Sequence, residues 1–529
     1  MSSPTEDKEI SKREDILEAT KEEDKEEQVF HSTKEEEFGE TDSSVDVSER
    51  EARLEKTDNF LNKIGLKFNA EIRGVERVPE SKREDGNWLN SLTVFLSPNF
   101  AVSTLSTGMM GPTYYDLDFR TCILCIVFMG ILGSIPVGLY SIFGAKFGLR
   151  QQILSRYFTG NIMGRVFAFF NVISCIGWNA INIIPSVQML VSLGSLPAWA
   201  GCLIFVVITS VLALFGYKTI HIYERYCWIP NCIVYLIIIA RFTMSHKFTW
   251  GHMETGTTEA GNVLTFISAI FGLTAGWSPS AADYFVYMPS NTNPWKIFFC
   301  MVVGLSFPAI FTMILGAAIA TSTHSDPAWK AAYDDNSVGG LIYQVLVTDS
   351  LHGFGKFCVV VLAFSTISNN LPGSYSLSLA TQAIWSPLAR FPRLGWCLIG
   401  NFVSLALCIP AYYVFAETMS NFLSIIGYNV SIYIGITLAE HFVFRRGFKG
   451  YNPEDCDDRS KLPVGVAGVF AFAVGVACTV LSMNQTWYQG VIAKKLGEYG
   501  GDIGFELNIA GSFIAYCCAR PFELKYFGR

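Results

Sequence analysis

The sequence predicts an all-α polytopic membrane protein of twelve transmembrane helices, built as a five-plus-five inverted repeat with two further helices at the C-terminal end. Three observations carry this. Half of the 529 residues are hydrophobic and only 16% are charged, a balance too apolar for a soluble chain of this length. Twelve apolar runs approach the roughly 20 residues a helix needs to cross a hydrocarbon core of about 30 Å. Two of those runs, five apart in order, are interrupted by Gly and Pro, the pattern of paired discontinuous helices.

The chain opens on charge. Residues 1–50 hold 18 Asp and Glu against 7 Lys and Arg, so of the net charge of −7 about +4 is left for the rest. Stretches such as KEEDKEEQVF and STKEEEFGE have too little apolar surface to offset their ordering entropy. Residues 1–70 are therefore predicted to be a disordered acidic cytosolic tail and 71–92 a cytosolic segment before the membrane. No cleavable signal peptide is expected.

The first repeat is expected over 93–243, with apolar runs at 93–112, 121–144, 163–191, 199–217 and 228–243. The second is expected over 262–442, with runs at 262–285, 297–320, 354–384, 394–414 and 420–442. Runs at 463–483 and 503–520 make the accessory helices 11 and 12, and 521–529 a cytosolic C-terminus. Lipid leaves no water to pair backbone amides, which makes helices the structure for runs this long. Basic residues gather in alternate loops, among them Lys146, Arg150 and Arg156, then Arg390 and Arg393, then Arg445, Arg446 and Lys449. The intervening loops are poorer in Lys and Arg, and the loop 321–353 is net acidic. By the positive-inside rule both termini are cytosolic.

The interrupted runs carry STGMMGP (106–112) in the first span and GLTAGWSPSAADY (272–284) in the sixth. One such break alone reads as a packing kink. Two in corresponding places read as half-helices facing a midplane site. Polar and aromatic groups collect at that depth. Trp178 and Asn182 stand at i and i+4 on one face of span three, Trp277 follows Gly276 in span six, and Asn369 and Asn370 sit in span eight. Rings to stack on a π-face and amides that both donate and accept suit a flat heteroaromatic ligand. Each Trp taken singly also fits interfacial anchoring, and each Asn fits interhelical bonding. Asp283, close to the sixth break, is a candidate gating or proton-coupling group. The scattered cysteines read as small hydrophobes, and CxxC at Cys122 and Cys125 has no second ligand pair nearby for a metal.

Longer motifs, GLRQQILSRYFTGN, CIGWNAIN, AGWSPSAADYFVYMPSNTN, STISNNLP, and GGDIGFELN through RPFELKYFGR, resemble the fungal purine-cytosine permeases of the nucleobase cation symporter family, from about Ala70 to Arg529. The resemblance implies a leucine-transporter-like fold, not an enzyme, that carries cytosine, adenine, guanine or hypoxanthine inward across the plasma membrane. It implies H⁺ as coupling ion, no cofactor, a nucleobase and the lipid bilayer as partners and no nucleic acid; oligomeric state is left open. It places substrate contacts on Trp178, Asn182, Gly276, Trp277, Asn369 and Asn370, with Thr104 or its neighbour Ser103 from span one. Pro372, Gly373 and Asp283 fall in positions linked to selectivity or gating. Gly373 departs from the Asn common in such members, which leaves the preferred base open. Ala363 and Phe364 stand where sodium-coupled relatives place hydroxyls, which tilts the coupling ion toward H⁺. Two rival readings stay open: a carrier of another heterocycle such as vitamin B6, and a non-transporting nutrient receptor on the same scaffold. No HExxH or Ser-His constellation in the spans supports an enzyme.

Overall fold

Backbone that must pair with itself in lipid gives helices, and helices are what the computed structural model contains. It describes residues 74–529 apart from Trp88, residues 214–216 and Glu254. The acidic tail expected over 1–70 and the first residues of the segment 71–92 lie outside the described residues. Among the described residues there is no strand, only one isolated bridge between Asn484 and Gln489. Among the described residues, seven helical stretches are long and apolar enough to cross a membrane by length and composition, and two further apolar helices are shorter.

The first apolar run folds as two helices, α1 (Asn90–Asn99) and α2 (Val102–Tyr114). They are followed by α3 (Phe119–Phe147), α4 (Gln151–Leu193), α5 (Ala198–Ala213) and α6 (Tyr217–Ser245). Next come α7 (Thr257–Ala275), a 3₁₀ segment (Ser278–Tyr284), and α8 (Pro294–Ala320). The loop expected over 321–353 instead contains α9 (Pro327–Leu346), N-capped by Asp326 and kinked at Asn336 and Ser337. Its Gly339 lets it lie directly on the α4 backbone at Gln188. The eighth run is α10 (His352–Ala363) and α11 (Ser365–Ile384), then α12 (Arg393–Ala411), α13 (Phe415–Leu438), α14 (Val466–Ser482) and α15 (Gly504–Phe527).

The break in the sixth run falls within the expected stretch: α7 ends at Ala275 and the chain resumes as a 3₁₀ turn after Trp277. The break in the first does not. STGMMGP lies inside α2, and the chain leaves the helix earlier, at Phe100 and Ala101, where Ala101 is extended (φ −98°, ψ 156°). The glycines of STGMMGP are packing notches. A Cβ on Gly108 would sit 1.9 Å from the Met313 carbonyl oxygen of α8, so absence of a side chain is what brings the two backbones together.

The backbone groups freed at Phe100 and Ala101 are answered from α11. Val102 N donates to Ser365 Oγ (3.0 Å), Ser368 Oγ donates to Ser97 O (3.3 Å), and Asn369 Nδ2 donates to Pro98 O (3.1 Å). Thr312 Oγ1 of α8 donates to Asn99 O (3.2 Å). A polar knot ties four helices together, α11 among them. Asn179 Nδ2 of α4 donates to Asn401 Oδ1 of α12 (2.9 Å) and to Ser374 Oγ of α11 (3.1 Å), and Asn401 Nδ2 donates to Ser210 Oγ of α5 (3.1 Å). Buried amides bonded across helices in this way fix relative helix positions, where apolar contacts alone leave sliding cheap.

Candidate functional site

Both breaks open onto one pocket, lined from α1, α2, α4, α7, the sixth break, α11 and α13. Around it, residues that would otherwise be core are only partly buried: Trp178 on α4, Gly276 and Trp277 at the sixth break, and Asn369 and Gly373 on α11. Ser103, Thr104 and Asn182 complete this group of expected residues on the lining.

The two indoles are held by edge contacts rather than by stacking partners. Trp178 meets Phe422 at 5.1 Å between ring centroids and 86° between planes, and Trp277 meets Phe95 of α1 at 5.3 Å and 90°. Edge-to-face support fixes a ring while leaving a face for another aromatic. Gly276 makes room for Trp178: a Cβ there would lie 3.1 Å from its Cζ2 and 2.5 Å from the Gly272 carbonyl oxygen.

The amides divide into two layers. Asn182 lines the cavity, and its Oδ1 is buried without a hydrogen-bond partner. Its Nδ2 donates to Asn370 Oδ1 (3.0 Å), and Asn370 Nδ2 donates to the Asn179 carbonyl (3.0 Å). Asn370, expected among the substrate contacts, is fully buried and off the lining, where its Oδ1 holds the Asn182 amide. Asn369, one residue and about 100° around the helix away, is on the lining, with Nδ2 donating to Pro98 O and to Ser103 Oγ (3.3 Å).

Pro372 and Asp283 are also off the lining. The Pro372 carbonyl accepts from Tyr284 OH (2.9 Å), joining α11 to the 3₁₀ segment. Asp283 accepts from Gln151 N (2.8 Å) and Ser376 Oγ (3.1 Å), so its carboxylate caps α4 and fastens the 3₁₀ segment to α11. Gln151 Oε1 accepts from Ala282 N and Gln152 Nε2 donates to Pro279 O. The motif GLRQQ thus clamps the lower half of the broken sixth helix. Sequence reading missed Asn99, Asn171, Ser174, Cys175, Ser280 and Met419 on the lining. Asn171 lies one heptad before Trp178 on the same helix, a spacing that points to it.

A many-helix membrane protein whose two broken helices and two knotted partners enclose one polar-aromatic cavity is, by fold and site, a permease rather than an enzyme. The profile of the family described as permease for cytosine/purines, uracil, thiamine, allantoin matches residues 77–504, and the chain belongs to that family. It is 48% identical to the purine-cytosine permease FCY21 of Saccharomyces cerevisiae, over 90% of this chain and 91% of that protein. It is 29% identical to the vitamin B6 transporter TPN1 of the same yeast, over 89% and 90%. Its fold resembles that of Mhp1, a nucleobase-cation-symport-1 family transporter solved in a closed conformation with bromovinylhydantoin bound, at a TM-score of 0.62 and 12% identity, over 86% of this chain and 95% of that one. That fold is leucine-transporter-like.

Proposed function

We propose that this chain takes up purine bases and cytosine (adenine, guanine, hypoxanthine, cytosine) together with a proton, by alternating access across the plasma membrane, with twelve spans and both termini in the cytosol. The observation that carries this reading is the cavity itself, where two edge-supported indoles stand with an unpartnered Asn182 Oδ1 at the junction of both breaks. In the proposed complex the base lies between Trp178 and Trp277, while Asn182 and Asn369 read its edge and Ser103 and Thr104 close the side toward α2. The helices α4, α5, α11 and α12, knotted through Asn179 and Asn401, move as one body against α1, α2, α7 and the 3₁₀ segment.

Proton coupling is supported by the start of α11. Phe364 packs against Phe205 at 5.7 Å instead of offering an oxygen. The nearby hydroxyls are engaged, Ser365 accepting from Val102 N and Thr366 donating to the Asn182 carbonyl. A hard cation needs several free oxygens.

The vitamin B6 reading is favoured by one observation, that position 373 on the lining is a glycine and offers no amide there. Radiolabelled uptake of cytosine, adenine, guanine, hypoxanthine, uracil and pyridoxine in permease-null cells, at low and neutral external pH, decides between them. Nucleobase uptake stimulated at low pH is the expected result, and Asn369→Ala should abolish high-affinity uptake at normal surface abundance. Pyridoxine uptake alone would overturn the substrate class, and substrate binding with no proton influx into vesicles would favour a receptor.

A further inference from the structure

Glu224, on α6, is fully buried, and neither of its carboxylate oxygens has a hydrogen-bond partner. The other buried acidic side chains are all answered. Asp283 accepts from Gln151 N and Ser376, and Asp502 from Tyr428 and Asn484 N. Glu440 accepts from Arg445 and Arg520, and Glu523 from Arg520 and the N-terminus of α14. Among the described residues Glu224 alone of these has no donor at hydrogen-bond distance, the Ser97 hydroxyl being the one donor beside it.

Its neighbours belong to both broken helices. The Ser97 hydroxyl of α1 is the donor that stands beside its carboxyl. Tyr284 of the 3₁₀ segment lies within electrostatic reach, as do Tyr223 and Cys227 on α6 itself. Among the described residues no Lys, Arg or His acts on it from any helix packed against α6. Ser97 stands two residues after Phe95, which supports Trp277, and two before Asn99, on the cavity lining.

We propose that Glu224 is the group that carries the proton through the transport cycle. This rests on the proton-coupled reading above. A carboxylate with a single neutral hydroxyl beside it and no cation is poorly tolerated in a dry interior, whereas a carboxylic acid is well tolerated. A base in the cavity displaces water from the space beside Asn99 and α1, so the substrate-filled carrier closes only with Glu224 protonated. With the cavity empty and hydrated, water reaches the Ser97 side and the anion is accommodated on return. One proton is thus taken from outer water with each base and returned to water on the inner side.

The test compares wild type and Glu224→Gln in permease-null cells, reading cytosine uptake at low and neutral external pH, final accumulation, and exchange of labelled for unlabelled base. The expected variant exchanges base but shows no stimulation by low pH and no accumulation above equilibrium, while Glu224→Asp restores both. Glu224→Gln that accumulates base with the wild-type pH response overturns the proposal. A wild type indifferent to pH overturns proton coupling itself, a separable result. Should Glu224→Gln fail to reach the surface, wild-type membranes treated with dicyclohexylcarbodiimide and read by mass spectrometry decide. Labelling of Glu224 that falls as pH rises supports the proposal, and no labelling at any pH overturns it.

Discussion

Asn182 Nδ2 donates to Asn370 Oδ1 at 3.0 Å, and that bond fixes which end of the Asn182 amide is left for a ligand: the unpartnered Oδ1. An acceptor so placed calls for an N–H on the substrate edge, which cytosine and the purines carry. Removing it by Asn182→Ala leaves a ligand donor unanswered, worth about 1–3 kcal/mol, or a loss of apparent affinity of roughly 5- to 150-fold. Asn370→Ala acts only through Asn182, and a smaller loss of the same character is expected. Competition curves against labelled cytosine, at matched surface abundance, measure both.

Trp277 and Trp178 call for a different signature. Stacking a base on an aromatic ring is worth about 1–3 kcal/mol by alanine substitution and tolerates any base. Trp277→Ala is therefore expected to weaken all transported bases alike, leaving their rank order unchanged, while Trp277→Phe recovers most of the affinity because the π-face and the edge contact with Phe95 persist. A rank order altered as strongly as by Asn182→Ala would remove Trp277 from a stacking role.

How much of this was legible depended on whether the signal was local. Trp178 with Asn182 could be read because i,i+4 spacing within an apolar run has one meaning, a shared helix face. The sixth break could be read because Gly276 and Pro279 sit at it. The first break could not, since Gly108 and Gly111 look like helix breakers but serve close packing, while the actual break at Phe100 and Ala101 is stabilised by Ser365, Ser368 and Asn369 from far along the chain. Adjacent Asn369 and Asn370 carry identical chemistry in sequence, and only the helix rotation between them assigns one to the lining and one to the layer behind. Glu224 escaped notice because it precedes the apolar run that begins at 228. The clamp by Gln151 and Gln152 was visible only as part of a motif, with no physical reason attached until the 3₁₀ segment was seen beneath it.

Gly373 offers the most direct handle on specificity. It lines the cavity, and a Cβ there would approach Asn179 Oδ1 to 2.9 Å, an unpartnered atom at the end of a side chain. Gly373→Asn adds an amide whose NH₂ is within reach of that oxygen and whose carbonyl turns toward the ligand. The variant is expected to change the order in which hypoxanthine, guanine, adenine, cytosine and pyridoxine compete for uptake, with pyridoxine losing most, while protein abundance stays near wild type. An unchanged competition order would mean that position 373 does not contribute to selectivity.

The location of the first break makes a stability prediction that separates the two halves of span one. Gly108→Ala places a methyl 1.9 Å from the Met313 carbonyl oxygen and 2.6 Å from Met313 Cα, atoms of backbone that cannot rotate aside, so α2 and α8 must part along their contact. Overpacking of a rigid interface costs about 1–3 kcal/mol or more, and the variant is expected to unfold at clearly lower temperature in detergent and to be depleted at the cell surface. Ser365→Ala instead leaves Val102 N without its partner, a buried amide worth about 1–3 kcal/mol, at the hinge rather than at a packing face. Its expected defect is in transport rate and in the equilibrium between inward- and outward-facing forms, with less loss of abundance than Gly108→Ala. Were the flexible point at 106–112, the two effects would exchange places, and paired measurement of thermal unfolding and initial uptake rate distinguishes the two arrangements.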